Sequence, residues 1–329
     1  MTDQAVLAGD IGGTKTTLAM FGTAGDLMLE KTYKNDGFRS LQEVISTFLG
    51  DLDTIVVRAC FGVAGPVREN RVRMTNLDWT IDGGKLADRF AIDRVLLVND
   101  LVATTAGALV LPAESLVTIN GGRPVTGGTI GVLAPGTGLG QSFGVPVGNR
   151  LQPFPSEGGH SSFAPRNREQ IKLLEFMLEK HPHVSVEQVC SGKAIPDLYG
   201  FVTRSSPEPK WMRKMLTETE DQTPVIVQAA NESLTGNTVC EPAVQTLQLF
   251  VDILAAESAN LALKVLATGG IYVGGGMPSR VLPFFDRERF MRIFCRGVYQ
   301  KMLADIPVNI IRDPKTALIG ARELAMEGS

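Results

Sequence analysis

The chain has 329 residues, 44% of them hydrophobic and 20% charged, with a formal net charge of −3. That length exceeds what a single hydrophobic core usually supports, so two lobes are expected. The charge balance leaves no broad basic field, which argues against duplex nucleic acid or an anionic membrane as a partner.

The first apolar runs flank a glycine turn: Leu7-Ala8-Gly9-Asp10-Ile11, then Gly12-Gly13-Thr14, then Thr16 to Met20. Gly12 and Gly13 permit positive φ and close backbone approach, so N–H groups around Thr14 can converge on a phosphate while Asp10 reaches a metal-bound water. The same segment also reads as an ordinary β-hairpin. It is not a Walker P-loop, because that pattern laid over Gly9 needs glycine where Thr14 stands and a helix where a strand follows. An extended Leu29–Tyr33 comes next, then a helix near 40–50 with Leu41, Val44, Ile45, Phe48 and Leu49 on one face. Continuous apolar runs at Thr54–Gly62 and Val95–Val98 read as interior strands. Ligands in open α/β sheets lie beyond the carboxyl ends of strands, which singles out Gly62–Pro66 and Asn99-Asp100.

Residues 129–145 repeat the opening theme of strand, glycine turn and strand, a weak internal duplication. Gly136-Thr137-Gly138-Leu139-Gly140 imitates a dinucleotide fingerprint, but Gln141 stands where its third glycine belongs and the chain continues as strand. Helices are expected near 167–180, with Ile171, Leu174, Met177 and Leu178 on one face, at 185–190 behind a Ser185 cap, and over roughly 237–267. The apolar stretch Leu247–Leu266 is broken by Asp252, Glu257, Asn260 and Lys264, as in a buried amphipathic helix. A strand at Ile271–Val273 opens into Gly274–Gly276, and the strand Val308–Ile311 and helix Lys315–Met326 close the chain. Hinges are expected in the connections near 110–120 and 300–305. Cysteines at 60, 190, 240 and 295 form no CxxC pair, and no basic-then-apolar leader opens the chain, so free thiols in the cytoplasm are expected.

Two constellations carry chemistry. Asp100 reads either as a helix N-cap or as a carboxylate that takes the proton of an attacking hydroxyl, with Asn99 beside it as donor or acceptor. Ser156-Glu157-Gly158-Gly159-His160 offers donors and acceptors to vicinal hydroxyls. His181-Pro182-His183 reads as a polar loop, with metal binding as the minor alternative, and Glu187 as a surface residue.

Asp10–Thr14, Gly62–Pro66, Asn99-Asp100, Gly136–Gly140, Ser156–His160 and Gly274–Gly276 occur in the order and rough spacing of bacterial-type glucokinases. The chain therefore resembles that family, within the sugar kinase, actin and heat-shock chaperone ATPase superfamily, nearly end to end. The resemblance implies an α/β fold of two ribonuclease-H-like lobes with a cleft between them, the small lobe being 1–110 completed by 304–329 and the large one 111–303. It implies an ATP-dependent hexose kinase acting on glucose, with Mg²⁺, and a homodimer. Asp100 would be the catalytic base, and Asn99, Glu157, His160 and Glu187 would bind the remaining hydroxyls. Gly12, Gly13, Thr14, Gly136, Thr137, Gly138, Gly140, Gly275 and Gly276 would flank ATP, with Asp10 near Mg²⁺ through water.

The alternative is the related repressor and sugar kinase (ROK) branch, acting on another hexose or an N-acyl hexosamine. That branch usually carries a cysteine-rich zinc motif after its Glu-x-Gly-His segment, and here Ser161-Ser162-Phe163 follows instead. Lys15, however, is commoner in that branch. A chaperone-like ATPase would have no use for the polyol set, and a non-catalytic sugar sensor would have none for Asp10 and Asp100.

Overall fold

The computed structural model describes residues 4–50, 52, 54–74, 77–148, 150–236 and 239–327. Its first elements are β1 (Gln4–Ile11), β2 (Lys15–Gly22), β3 (Leu27–Lys34), α1 (Leu41–Leu49), β4 (Ile55–Val63), β5 (Arg71–Arg73), β6 (Thr80–Asp82), α2 (Gly83–Phe90), β7 (Arg94–Asn99) and α3 (Asp100–Ala108). Then come β8 (Leu116–Asn120), β9 (Ile130–Pro135), β10 (Leu139–Val147), β11 (Arg150–Ser156), α4 (Arg168–Leu178), α5 (Ile195–Val202), α6 (Lys210–Thr217), α7 (Gln222–Thr235) and α8 (Glu241–Val265). The last are β12 (Gly270–Val273), α9 (Gly276–Arg280), α10 (Arg287–Phe294), α11 (Gln300–Asp305), β13 (Val308–Ile311) and α12 (Thr316–Met326).

Two compact units result, one of residues 1–113, 151–155 and 313–329, the other of residues 114–150 and 156–312. The chain thus returns to the first unit at 313 and not at 304, because β13 pairs in parallel with β12 and is held in the second unit's sheet.

In the first unit the sheet order is β3-β2-β1-β4-β7, with β2 antiparallel to its neighbours and β1, β4 and β7 parallel. Side chains of β1 alternate between two cores, as a strand requires. Leu7 and Ile11 join Leu41, Ile45 and Phe48 of α1, whereas Val6 and Ala8 join Val102 and Ala106 of α3 and Leu318 and Ala321 of α12. Asp10 therefore faces the α3 side. There α3 and α12 nearly touch: a Cβ on Gly320 would lie 1.8 Å from the Ala103 carbonyl oxygen, so only glycine allows this crossing. Ser40 caps α1 by accepting from the Glu43 N–H.

The six-stranded sheet has the order β11-β10-β9-β12-β13-β8, with β9 antiparallel to β10 and parallel to β12. Its first five strands repeat the succession of the first sheet. The duplication expected from the two hairpins is thus present at the level of strand order. Helix α8 has the length and apolarity of a membrane span, yet most of it is buried inside the unit, where Leu247, Phe250, Leu254 and Leu261 meet Leu198, Ile226 and Phe290. Full burial of each such side chain contributes roughly 1.5–3 kcal/mol.

Two expectations need correction here, and one segment holds helices that periodicity did not signal. Helix α4 buries Gln170, Leu173, Phe176 and Met177, while Ile171 and Leu178 are 46% and 49% exposed. The apolar residues fall on two stripes; Leu173, Phe176 and Met177 meet the core, and Gln170 is buried beside them with its Oε1 accepting from the Arg166 N–H at 2.9 Å. Residues 185–190 form a single 3-10 turn, Glu187–Val189, and Ser185 does not cap it with its side chain. The polar stretch between 190 and 237 contains helices α5, α6 and α7, which its composition hid. The expected start of the long helix at Asn237 and Thr238 lies outside the described residues.

Candidate functional site

The first group of candidate residues stands at the carboxyl edge of the first sheet. Register places Asp10 level with Gly62 and Gly62 level with Val98, so Asp10 and the end of β7 are two strand spacings apart, about 10 Å. Gly62 puts no side chain into the intervening space. Behind it the Ala64 N–H donates to the Ile11 carbonyl (3.1 Å), which docks the loop 64–66 on the end of β1. Asn99 fixes the other flank: its Nδ2 donates to the Gly65 carbonyl (3.2 Å) and its Oδ1 accepts from the Leu101 N–H (2.9 Å).

Asn99 is therefore the N-cap of α3, and Asp100 is the helix's first residue. The Leu101 N–H is shared, since Asp100 Oδ1 also accepts from it at 3.0 Å. Asp100 sits half-buried at the amino-terminal end of the helix. Asp10 is different, because burial pushes its carboxyl up to about 6.

The β1–β2 turn is tight without any unusual backbone. The Gly12 N–H donates to the Lys15 carbonyl (2.9 Å), and neither Gly12 nor Gly13 is among the glycines with positive φ, contrary to expectation. The turn's shape is held instead by a residue that the motif does not contain. Buried Asn35 donates from Nδ2 to the Gly12 carbonyl (2.9 Å), from its N–H to the Thr14 carbonyl (3.0 Å), and accepts from Thr16 Oγ1 (2.8 Å). Sequence gave no signal for Asn35, since it follows β3 and meets the turn only through the β2–β3 pairing.

The second group lies in the other unit. The β9–β10 turn comprises 136–138 only; Gly140 is a strand residue paired with Ala134. Its carbonyls are occupied by a distant segment, with the Gly192 N–H donating to Gly136 (2.7 Å) and the Lys193 N–H to Thr137 (3.4 Å). The Gly274 N–H donates to the Leu133 carbonyl (2.7 Å) and so sets Gly275 and Gly276 beside the end of β9. Together these segments border a cavity of about 630 Å³, lined among others by Gly136, Thr137, Lys193, Thr223 and Gly276. Thr223 is oriented by donating Oγ1–H to the Gly192 carbonyl at 2.8 Å. Lys193 and Thr223 carry no motif and were not legible before folding.

The polyol candidates converge through a short antiparallel contact. Ser162 bridges Ser185, and the Val186 N–H donates to the Ser161 carbonyl at 2.9 Å, which sets His160 opposite Glu187 in the same antiparallel register. Glu157 precedes the 3-10 turn Gly158–His160 and does not cap it with its side chain; its Oε2 lies 3.9 Å from His160 Nε2, and both side chains are exposed. Glu187 is not a mere surface residue. It is half-buried, and its Oε2 accepts from the Leu139 N–H at 2.8 Å. A Cβ on Gly138 would fall 2.4 Å from that oxygen, so the second turn needs glycine there to admit the carboxylate. Of the remaining histidines, His183 Nε2 is 3.0 Å from Ser162 Oγ.

Comparison with known proteins places this architecture. Residues 7–328 match the family model described as Glucokinase. A glucokinase of Trichormus variabilis is 38% identical over 96% of this chain and 97% of its own length. Among solved structures, a glucokinase from an Antarctic psychrotroph superposes with a TM-score of 0.81 at 30% identity, covering 98% of this chain and 99% of that one. A ROK family glucokinase from Streptomyces griseus, solved with glucose and AMPPNP, superposes with a TM-score of 0.65 at 21% identity over 98% of this chain and all of that one, a likeness of fold. The fold is that of the actin-like ATPases, and the chain belongs to the glucokinase family.

Proposed function

We propose that the chain transfers the γ-phosphoryl group of ATP to the 6-hydroxyl of glucose, giving glucose 6-phosphate and ADP, with Asp100 as general base. One observation carries the assignment of the base. Asn99 caps α3, so the carboxylate of Asp100 is not required to end the helix and stands at the sheet's carboxyl edge as a proton acceptor. In the reaction Asp100 takes the proton of the 6-hydroxyl as its oxygen bonds to phosphorus and the bond to ADP breaks. Asn99, Glu157, His160 and Glu187 hold the remaining hydroxyls, so that the nucleophile is oriented before transfer. Gly12, Gly13 and Thr14 of the first unit, and Gly136, Thr137, Gly138, Gly275 and Gly276 of the second, are assigned to the phosphates, and the 630 Å³ cavity of the second unit to the nucleoside.

Asp10 suits a magnesium ion. Mg²⁺ is usually held by one or two carboxylates together with substrate phosphates, and a carboxylate that burial disfavours gains from a cation beside it. When bound, the ion neutralises charge developing on the transferred phosphoryl group. Family resemblance is the support for a cytoplasmic homodimer.

The test is a coupled assay over a panel of hexoses and phosphoryl donors. Saturable glucose-dependent ADP release with ATP is expected. Turnover of an N-acyl hexosamine with none on glucose would overturn the substrate assignment.

A further inference from the structure

The family's polyol residues are held from below by a charge that no step of the reaction uses. Glu257, in the middle of α8, is 3% exposed, and both of its oxygens are committed. Gln141 Nε2 donates to Oε1 at 2.9 Å and Asn260 Nδ2 to Oε2 at 2.8 Å. Gln141 is itself 2% exposed, and its carboxamide oxygen lies directly under Gly158: a Cβ at 158 would be 2.3 Å from it. Gly158 is the first of the two glycines between Glu157 and His160.

The same carboxylate lies beneath the second polyol segment. Cys190 closes the 3-10 turn of Glu187 and is fully buried; its thiol is pushed well above the ordinary range, first by burial and then by the negative charge of Glu257. Asn260 in turn accepts from Arg296, whose Nη1 also donates to the Ala256 carbonyl at 3.2 Å. A carboxylate taken out of water and given donors on both oxygens costs several kcal/mol to desolvate, and a buried Gln–Glu pair is no more stabilising than an apolar pair of equal volume. Stability alone therefore does not account for it. Its geometry does something an apolar pair does not do: it fixes a polar side chain in one rotamer against a backbone that must stay in place.

We infer that Glu257 and Gln141 are positioning residues for glucose, the buried pair setting the height of the 157–160 segment and thereby the convergence of Glu157 and His160 with Glu187. The inference rests on the proposed polyol site. It needs no contact between Glu257 and the sugar.

Reciprocal exchange provides the test. In Glu257→Gln one of the two donors meets an amide N–H₂ in place of an oxygen, and in Gln141→Glu two carboxylates face one another. In the double exchange, Gln141→Glu with Glu257→Gln, residue 257 donates to residue 141 and still accepts from Asn260, so both bonds return. The expected result is a rise in KM for glucose of roughly tenfold or more in each single variant, the worth of a charge-assisted hydrogen bond, with recovery in the double variant and KM for ATP nearly unchanged throughout. Glucose-induced elevation of Tm follows the same order and reads binding without turnover. A uniform loss of stability, with glucose KM per folded molecule unaltered in both single variants, would overturn the inference. Glu157→Gln, run in parallel, separates the failures. If it too leaves glucose KM unchanged, the polyol site itself is misassigned; if it raises KM while the buried pair does not, only the positioning role falls.

Discussion

The two sheets carry equivalent hairpins held in unlike ways. In the first unit, Asn35 ties the turn from within its own sheet, and the turn's neighbour Asp10 is a carboxylate that burial keeps at a raised pKa. In the second, Ala134 stands where Asp10 would fall. The turn is tied outward, by Gly192 and Lys193 to the cavity wall and by Glu187 to the polyol segment. One strand order thus serves two purposes: the first hairpin presents charge, and the second is wired to the residues proposed to hold the substrates. A hydrogen bond from the Leu139 N–H to Glu187 ties the proposed sugar and phosphate segments of the second unit together.

The sharpest way to break this contrast is at the base proposed in the first unit. Asp100→Asn is expected to lower kcat by about 10²–10⁴-fold, the usual worth of a positioned base, with little loss of stability, because Asn99 remains the cap. Pre-steady-state and steady-state turnover of the folded variant check this, and a near-normal kcat would require another acceptor.

Asp10→Asn should show the cost of presenting buried charge. The folded-state carboxyl titrates at about 6 against 3.8 for the solvent-exposed reference group, so between those values the unfolded chain loses its proton first and stability falls as pH rises. Without ligand, the variant should be more stable than the parent by up to about 3 kcal/mol above pH 6, an advantage that shrinks to nothing below pH 3.8. Urea unfolding at pH 7.5, 5 and 3.5 measures it. A gain independent of pH would mean that ionisation is not its cause.

The wiring of the second unit predicts a split between neighbouring substitutions. His160→Ala should raise KM for glucose alone. Glu187→Ala should raise KM for both glucose and ATP, because it also strands the Leu139 N–H of the phosphate hairpin. Each effect is expected at roughly tenfold. Equal, purely sugar-side effects would show that the hairpin is indifferent to Glu187.

The smallest effect is expected from metal removal of one kind. Activity measured with excess Mg²⁺ should survive a zinc chelator, as the sequence lacks the cysteine cluster that follows His160 in the zinc-bearing branch. Stoichiometric zinc with inactivation on its loss would contradict this.

What the sequence determined by itself was local: strands with continuous apolar runs, such as Ile55–Val63, glycine turns between them, and Asp10, Asn99 and Asp100 at strand ends. These follow from patterns a few residues long. Tertiary structure decided which stripe of α4 faces inward, because Leu173, Phe176 and Met177 meet the second unit's core there, and which residues hold the turns, because Asn35 and Glu187 reach them only through pairings made elsewhere in the chain. It also decided that Asn99 and not Asp100 caps α3, since both can accept from the Leu101 N–H and the extended backbone at 99 gives that residue the cap geometry. Periodicity records which side chains prefer to be buried; hydrogen-bond partners far apart in the chain are chosen only when the sheets have brought them within reach.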